Sequence, residues 1–146
     1  MAGTTLMLFN RRIVDFTPLP VSSTQDQIMT RYLDISAWRE ATLLLRVHST
    51  NITTSGHIIQ IILQFISLSP DDPSLDFVIP LPAAPATTDV AAVAEVQQSM
   101  VAPRLIRAPV AANAGTGLRL LARGYKTGTA GANLSAVLSA DLSLKD

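Results

Sequence analysis

The sequence predicts an all-β fold, a two-sheet antiparallel β-sandwich of jelly-roll-like form with about eight strands. Three observations predict it. Apolar residues recur with a period of two along most of the chain, prolines and glycine-rich stretches fall between those segments, and one central segment is apolar on both faces. Residues 1–146 read as a single β-sandwich domain in which two apolar faces bury each other.

An N-terminal arm, residues 1–27, holds the first strand at Thr5–Phe9, and a second candidate runs from Ile28 to Ile35. Ala41–Ser49 and His57–Ser67 follow, joined by Thr50–Gly56, whose Asn, Thr, Ser and Gly side chains favour a turn, so the two read as a hairpin. Leu75–Ile79 is a short strand candidate. The excursion at residues 80–98 begins extended, and its alanine-rich part, Asp89–Gln98, reads as a short helix capped near Asp89. This excursion either caps the open end of the sandwich or docks on a neighbouring subunit. Met100–Arg107 is the next strand. Leu118–Tyr125 and Leu134–Lys145 then read as a second hairpin across the Gly-, Thr- and Ala-rich tip Lys126–Asn133. In the last strand Leu134, Ala136, Leu138, Ala140, Leu142 and Leu144 share one face. Pro18, Pro20, Pro70, Pro73, Pro80, Pro82 and Pro85 lie between or at the ends of these segments, where a missing backbone donor costs no ladder bond.

Composition narrows the function. Of 146 residues, 48% are hydrophobic and 15% charged, with 11 basic residues against 11 acidic ones. A neutral chain has no net field to draw in nucleic acid. There is no cysteine, so thiolate chemistry and disulfide staples are excluded. Arg11 and Arg12 follow the apolar run Leu6–Phe9 where a signal peptide needs more apolar length, so no secretion signal is expected. The most apolar stretch, Ile58–Leu68, is about half the roughly 20 residues that span a bilayer, which argues for a strand and against a membrane partner.

From Val47 to Pro70 no Asp, Glu, Lys or Arg occurs. His57, Ile59, Ile61, Leu63 and Phe65 make one face of the strand there, and Ile58, Gln60, Ile62, Gln64 and Ile66 make a second that is also largely apolar. A lone sandwich buries only one face, so the second seeks a lid from the N-terminal arm, the excursion or another chain. Ile58, Gln60, Ile62, Gln64 and Ile66, with Val90 and Val93 of the excursion and Arg119 and Arg123, are the candidate interface residues. Arginine outnumbers lysine nine to two, and its planar fork suits protein interfaces.

Chemistry is sparsely signalled. His48 and His57 flank one turn and would approach each other across a hairpin, but no third ligand completes a zinc site. Asp71, Asp72 and Asp76 with Ser69 and Ser74 read as turn material ahead of calcium ligands. No nucleophile elbow, phosphate loop, metalloprotease helix or dinucleotide fingerprint is present, and Gly115–Gly117 and Gly124–Gly131 read as hairpin tips. No catalytic residue, metal or cofactor is expected.

The run Asp34-Ile35-Ser36-Ala37-Trp38-Arg39-Glu40-Ala41, leading into Thr42–Val47, resembles the strand opening common in small β-sandwich virion proteins of tailed bacteriophages. Ile61–Ser69 with its Asp and Pro turn, Gly117–Gly128 and the closing Leu134–Lys145 strand are similar to later strands of that pattern, whereas residues 80–98 replace its usual short connection. The resemblance covers roughly Tyr32–Lys145. It implies a non-enzymatic structural subunit located in the virion, made in the host cytoplasm, and partnered by its own copies and by a major capsid or tail protein. The alternative is a carbohydrate-binding β-sandwich in which Trp38, Tyr125 and the arginines line a platform, although Trp38 beside Arg39 and Glu40 is better placed to plug the sandwich end.

Overall fold

A computed structural model describes residues 3–20, 22–31, 33–35, 37–67, 77–79, 92–98, 100–110, 116–126 and 133–146. Ten strands run through them: β1 Gly3–Asp15, β2 Thr24–Ile28, β3 Leu33–Asp34, β4 Glu40–Ile52, β5 Ile58–Ser67, β6 Phe77–Ile79, β7 Ala92–Gln97, β8 Arg104–Val110, β9 Thr116–Tyr125 and β10 Leu134–Lys145. All pairings are antiparallel. Sheet A has the order β1-β10-β4-β8, and sheet B the order β2-β9-β5-β6, with β3 also on β9 and β7 also on β5.

The short strands share rows. β2 and β3 lie along one edge of β9, at residues 121–125 and 117–118, while β7 and β6 lie along one edge of β5, at residues 58–62 and 65–67. Each sheet is therefore four rows wide. Numbered by chain order, the rows run 1-8-3-6 in sheet A and 2-7-4-5 in sheet B, which is the interleaving of a double-sheet jelly roll.

That interleaving corrects both expected hairpins. β4 pairs with β10 and β8, and β5 pairs with β9, β6 and β7, so the turn between β4 and β5 carries the chain from one sheet to the other. β9 and β10 likewise belong to opposite sheets. In each case the two members of the pair line the core from opposite sides instead of bonding edge to edge. The helix expected over Asp89–Gln98 is also corrected: Ala92–Gln97 is β7, because pairing along an edge of β5 overrides the intrinsic helix preference of its alanines. Residues 89–91, the rest of the excursion, and the acidic cluster Asp71, Asp72 and Asp76 lie outside the described residues. The N-terminal arm is no free arm: residues 3–15 form the edge of sheet A along β10.

The core fills the space between the sheets. Leu134, Ala136, Leu138, Ala140, Leu142 and Leu144 of β10 and Ala41, Leu43, Leu45 and Val47 of β4 face Ile59, Ile61 and Leu63 of β5 and Leu118, Leu120 and Ala122 of β9. Local bonds tie the sheets at their margins. Arg12 Nη1 donates to the Met29 carbonyl at 2.7 Å, and buried Lys126 donates from Nζ to the Thr17 carbonyl at 2.5 Å.

β1 ends in an Asx turn, with the Thr17 N–H donating to Asp15 Oδ1 at 2.9 Å. Hydrogen bonds from the Thr17 side chain and backbone hold the Asp15 carboxyl below its ordinary value of 3.8. A carboxylate depressed in the folded state adds stability above its unfolded pKa and loses it as pH falls through the folded value. Asp15→Ala should therefore unfold at lower urea than wild type at neutral pH, with the gap narrowing once the pH drops below the ordinary carboxylate range. A gap that is constant from pH 7 to acid would contradict this turn's role.

Candidate functional site

Two outer faces remain after the core is closed, and their side chains follow from strand register. On sheet B the residues that alternate with the core set in β9 are Arg119, Leu121, Arg123 and Tyr125. Three cross-sheet rows result: Thr24, Tyr125, Ile58 and Gln97; Asp26, Arg123, Gln60 and Glu95; and Ile28, Leu121, Ile62 and Ala92.

The middle row is a continuous polar ladder. Arg123 donates from Nε and Nη2 to the two carboxylate oxygens of Asp26 at 2.6 and 3.0 Å, a bidentate fork. Gln60 Nε2 donates to Glu95 Oε1 at 3.1 Å, and Gln97 Nε2 donates to Glu95 Oε2 at 2.9 Å. The hydrogen bond to Asp26 raises the Arg123 pKa further above its ordinary value, so this guanidinium stays charged. Beside the ladder, Thr24, Gln25, Asp26, Ile58, Gln60, Arg123 and Tyr125 line a cleft of about 520 Å³.

The apolar row behaves differently. Ile62 and Leu121 sit opposite each other on the outer side and are both buried within this single chain. The second apolar face of β5 is thus already covered where it is most hydrophobic, and Ile62 is not surface for a partner. Ile58 and Gln60 are half-buried on the cleft floor. Gln64 and Ile66 are placed by register opposite Arg119 and Gly117, Val93 sits at the register shift of β7, and Val90 lies outside the described residues. Of the expected interface residues, the fold brings Ile58, Gln60 and Arg123 together in one cleft.

Sheet A's outer face has a polar centre. Asp141 is nearly buried there, with Arg46 Nη2 at 2.7 Å across the β10–β4 ladder. Ser139 Oγ accepts from the Arg11 N–H at 2.9 Å, donates to Asn10 Oδ1 at 3.1 Å, and lies 2.7 Å from His48 Nε2. With the hydroxyl proton given to Asn10, His48 Nε2 is the donor to Ser139. A serine that is 2% exposed and capped by the β1 bulge is a structural node, out of reach of substrate as a nucleophile. Arg11 itself takes a left-handed backbone, φ 49°, to deliver that N–H.

The two histidines part company. His48 belongs to this cluster on sheet A, while His57 is fully buried just before β5 with neither ring nitrogen hydrogen-bonded. The expected approach of the pair required a β4–β5 hairpin, which does not form. Among the described residues no three His, Asp or Glu side chains gather as a metal site. No helix among them is long and apolar enough to cross a membrane.

Around the polar centre sheet A exposes apolar side chains that the sequence pattern did not single out. Met7 is 70% exposed, opposite Asp141, and Ile13 is 69% exposed, opposite Val137; Leu105 is exposed opposite Arg46. Leu6, also exposed, borders a groove of about 300 Å³ with Leu8, Met29 and Leu33 at the β1 margin of the sandwich. The unbroken apolar run Leu6–Phe9 was the available signal, but it does not say which of its residues face out, and β1 carries two register shifts that period-two counting cannot place. Trp38 packs against the core, as expected for a plug at the sandwich end, while Tyr125 stands at the cleft. No protein-family model matches the sequence, and no curated protein matches it.

Proposed function

We propose that the chain is a non-enzymatic structural subunit of a phage-like virion, assembling with its own copies and with other virion proteins such as a major capsid or tail protein. The observation that carries this reading is the apolar exposure along β1, the edge strand of a jelly roll. Double-sheet jelly rolls build viral capsid domains, although lectins and cupins use them too. Leu6, Met7 and Ile13 lie on a 13-residue edge strand, and such an edge invites aggregation unless neighbours cover it.

The register of β1 favours side-chain docking over strand extension. Its two bulges and the positive φ of Arg11 break the flat row of donors and acceptors that another strand would need. A neighbour seated over Met7, Ile13 and Leu105 would bury an ordinary interface of roughly 800 Å² per partner. The interface expected around Ile62 therefore moves to the other sheet in this reading.

Light scattering after size exclusion, with negative-stain microscopy of the same fractions, tests it. Wild type should be multimeric or form regular particles, and Met7→Asp with Ile13→Asp should yield a monomer of unchanged circular dichroism. A wild-type monomer that stays monomeric on concentration and binds neither capsids nor tails would remove the proposal.

A further inference from the structure

A different face supports a binding function that assembly does not require. We propose that the cleft across β2, β9 and β5 binds a neutral saccharide, seated on Tyr125 and hydrogen-bonded by Arg123, Asp26 and Gln60. Its volume of about 520 Å³ falls within the usual span of small-molecule sites.

Charge excludes the most obvious rival ligand. A lone arginine would recruit a phosphate or carboxylate, but Asp26 occupies the fork with two bonds of 2.6 and 3.0 Å, so the lining has no net charge. What remains is a mixture of donors and acceptors. Arg123 has five N–H groups and spends two on Asp26. Glu95 is acceptor-only, so Gln60 must turn its amide N–H₂ toward it and present its carbonyl oxygen on the other side. Thr24 adds a hydroxyl to the wall. A sugar hydroxyl both donates and accepts, and a site offering both roles at short spacing suits it.

The lining is also held in place. Asp26 fixes Arg123, and Glu95, bonded by Gln97, fixes Gln60, so little ordering remains to be done when a ligand arrives. Tyr125 is 39% exposed beside this row and supplies a rigid aromatic surface with a polar tip. Trp38, the other aromatic considered for such a platform, is partly buried against the core and does not line this cleft.

Saturation-transfer NMR on the wild-type protein with cellobiose, maltose, lactose and chitobiose tests the proposal. At least one should receive saturation; Tyr125→Ala should weaken its binding by about tenfold or more, Tyr125→Phe should retain it, and Arg104→Ala on sheet A should leave it unchanged. No transfer to any of the four would overturn the inference. So would transfer that survives both Tyr125→Ala and Gln60→Ala, or binding confined to a sialylated trisaccharide, which would mark an anion site. Because the cleft lies on sheet B's outer face and Met7, Ile13 and Leu105 on sheet A's, a monomer that binds sugar would remove the assembly reading and leave this one standing.

Discussion

Gly124→Ala is expected to destabilise the protein by about 3 kcal/mol, the upper part of the range for overpacking a formed core. The Phe16 ring lies flat over Gly124, and a Cβ there would stand 2.2 Å from Phe16 Cγ and 2.6 Å from both Cδ atoms. Neither side can retreat cheaply. Gly124 is paired on both edges, with Gln25 on β2 and Ile59 on β5, so its backbone is locked in the middle of sheet B. Phe16 is fully buried, its N–H donates to the Leu134 carbonyl at 2.7 Å, and its own carbonyl accepts from the Leu19 N–H at 3.0 Å. The ring must therefore leave its rotamer or push the sheets apart. For a domain of this size the loss corresponds to a melting point lower by about 10 °C.

A double-mutant cycle isolates the cause. Phe16→Ala alone should cost about 4 kcal/mol through lost burial and the cavity left behind. Once the ring is gone the alanine at 124 meets no obstacle, so the double variant should be more stable than the sum of the single losses by about 2 kcal/mol. Urea unfolding of the four proteins measures it. An unchanged unfolding midpoint for Gly124→Ala, or strictly additive losses, would show that the ring does not rest on this glycine.

Gly124 also marks where sequence reasoning stops. In the chain it begins a glycine-rich stretch, and glycine before a flexible segment reads as a turn; in the fold it is the last buried position of β9. Nothing local announces that Phe16, more than a hundred residues away, needs the space. The alternation of β10 and β4, by contrast, was fully legible, because burial of one face acts on each strand separately and leaves a period in that strand's own residues. Strand partnership leaves no such mark. A short turn serves equally to close a hairpin or to step between sheets, and the neighbour of β10 is β1, from the opposite end of the sequence.

The candidate sites divide in the same way. Arg123, Tyr125, Ile58 and Gln60 could be named from the outer positions of two strands, but their meeting in one cleft depends on the β9–β5 pairing. The contribution of β2 and Asp26 had no sequence signal. Ile62 misled for an instructive reason: apolar residues on both faces mean only that both faces are covered, and here the chain covers the Ile62–Leu121 pair by itself.

The Arg46–Asp141 pair carries the second large expectation, and its two ends should behave unequally. The Asp141 side chain is 12% exposed and the Arg46 side chain 47%. Removing a partner costs most when the charge left behind cannot reach water. Arg46→Ala strands a nearly buried carboxylate beside Leu44 and Ser139, and should cost about 2–3 kcal/mol. Asp141→Ala leaves a guanidinium already half in solvent, which rehydrates by a small swing, and should cost about 1 kcal/mol. The double variant should then be more stable than Arg46→Ala alone, because the stranded charge has been removed as well. Equal losses, or the reverse order, would mean that Asp141 is hydrated in solution and that the centre of sheet A's outer face is open to water. The expected order would instead establish a desolvated carboxylate, neutralised by a half-exposed guanidinium, in the middle of the surface flanked by Met7, Ile13 and Leu105. A neighbour docking there would then meet a carboxylate already dehydrated and neutralised, with only the half-exposed Arg46 guanidinium left to desolvate, and the apolar rim would supply the attraction.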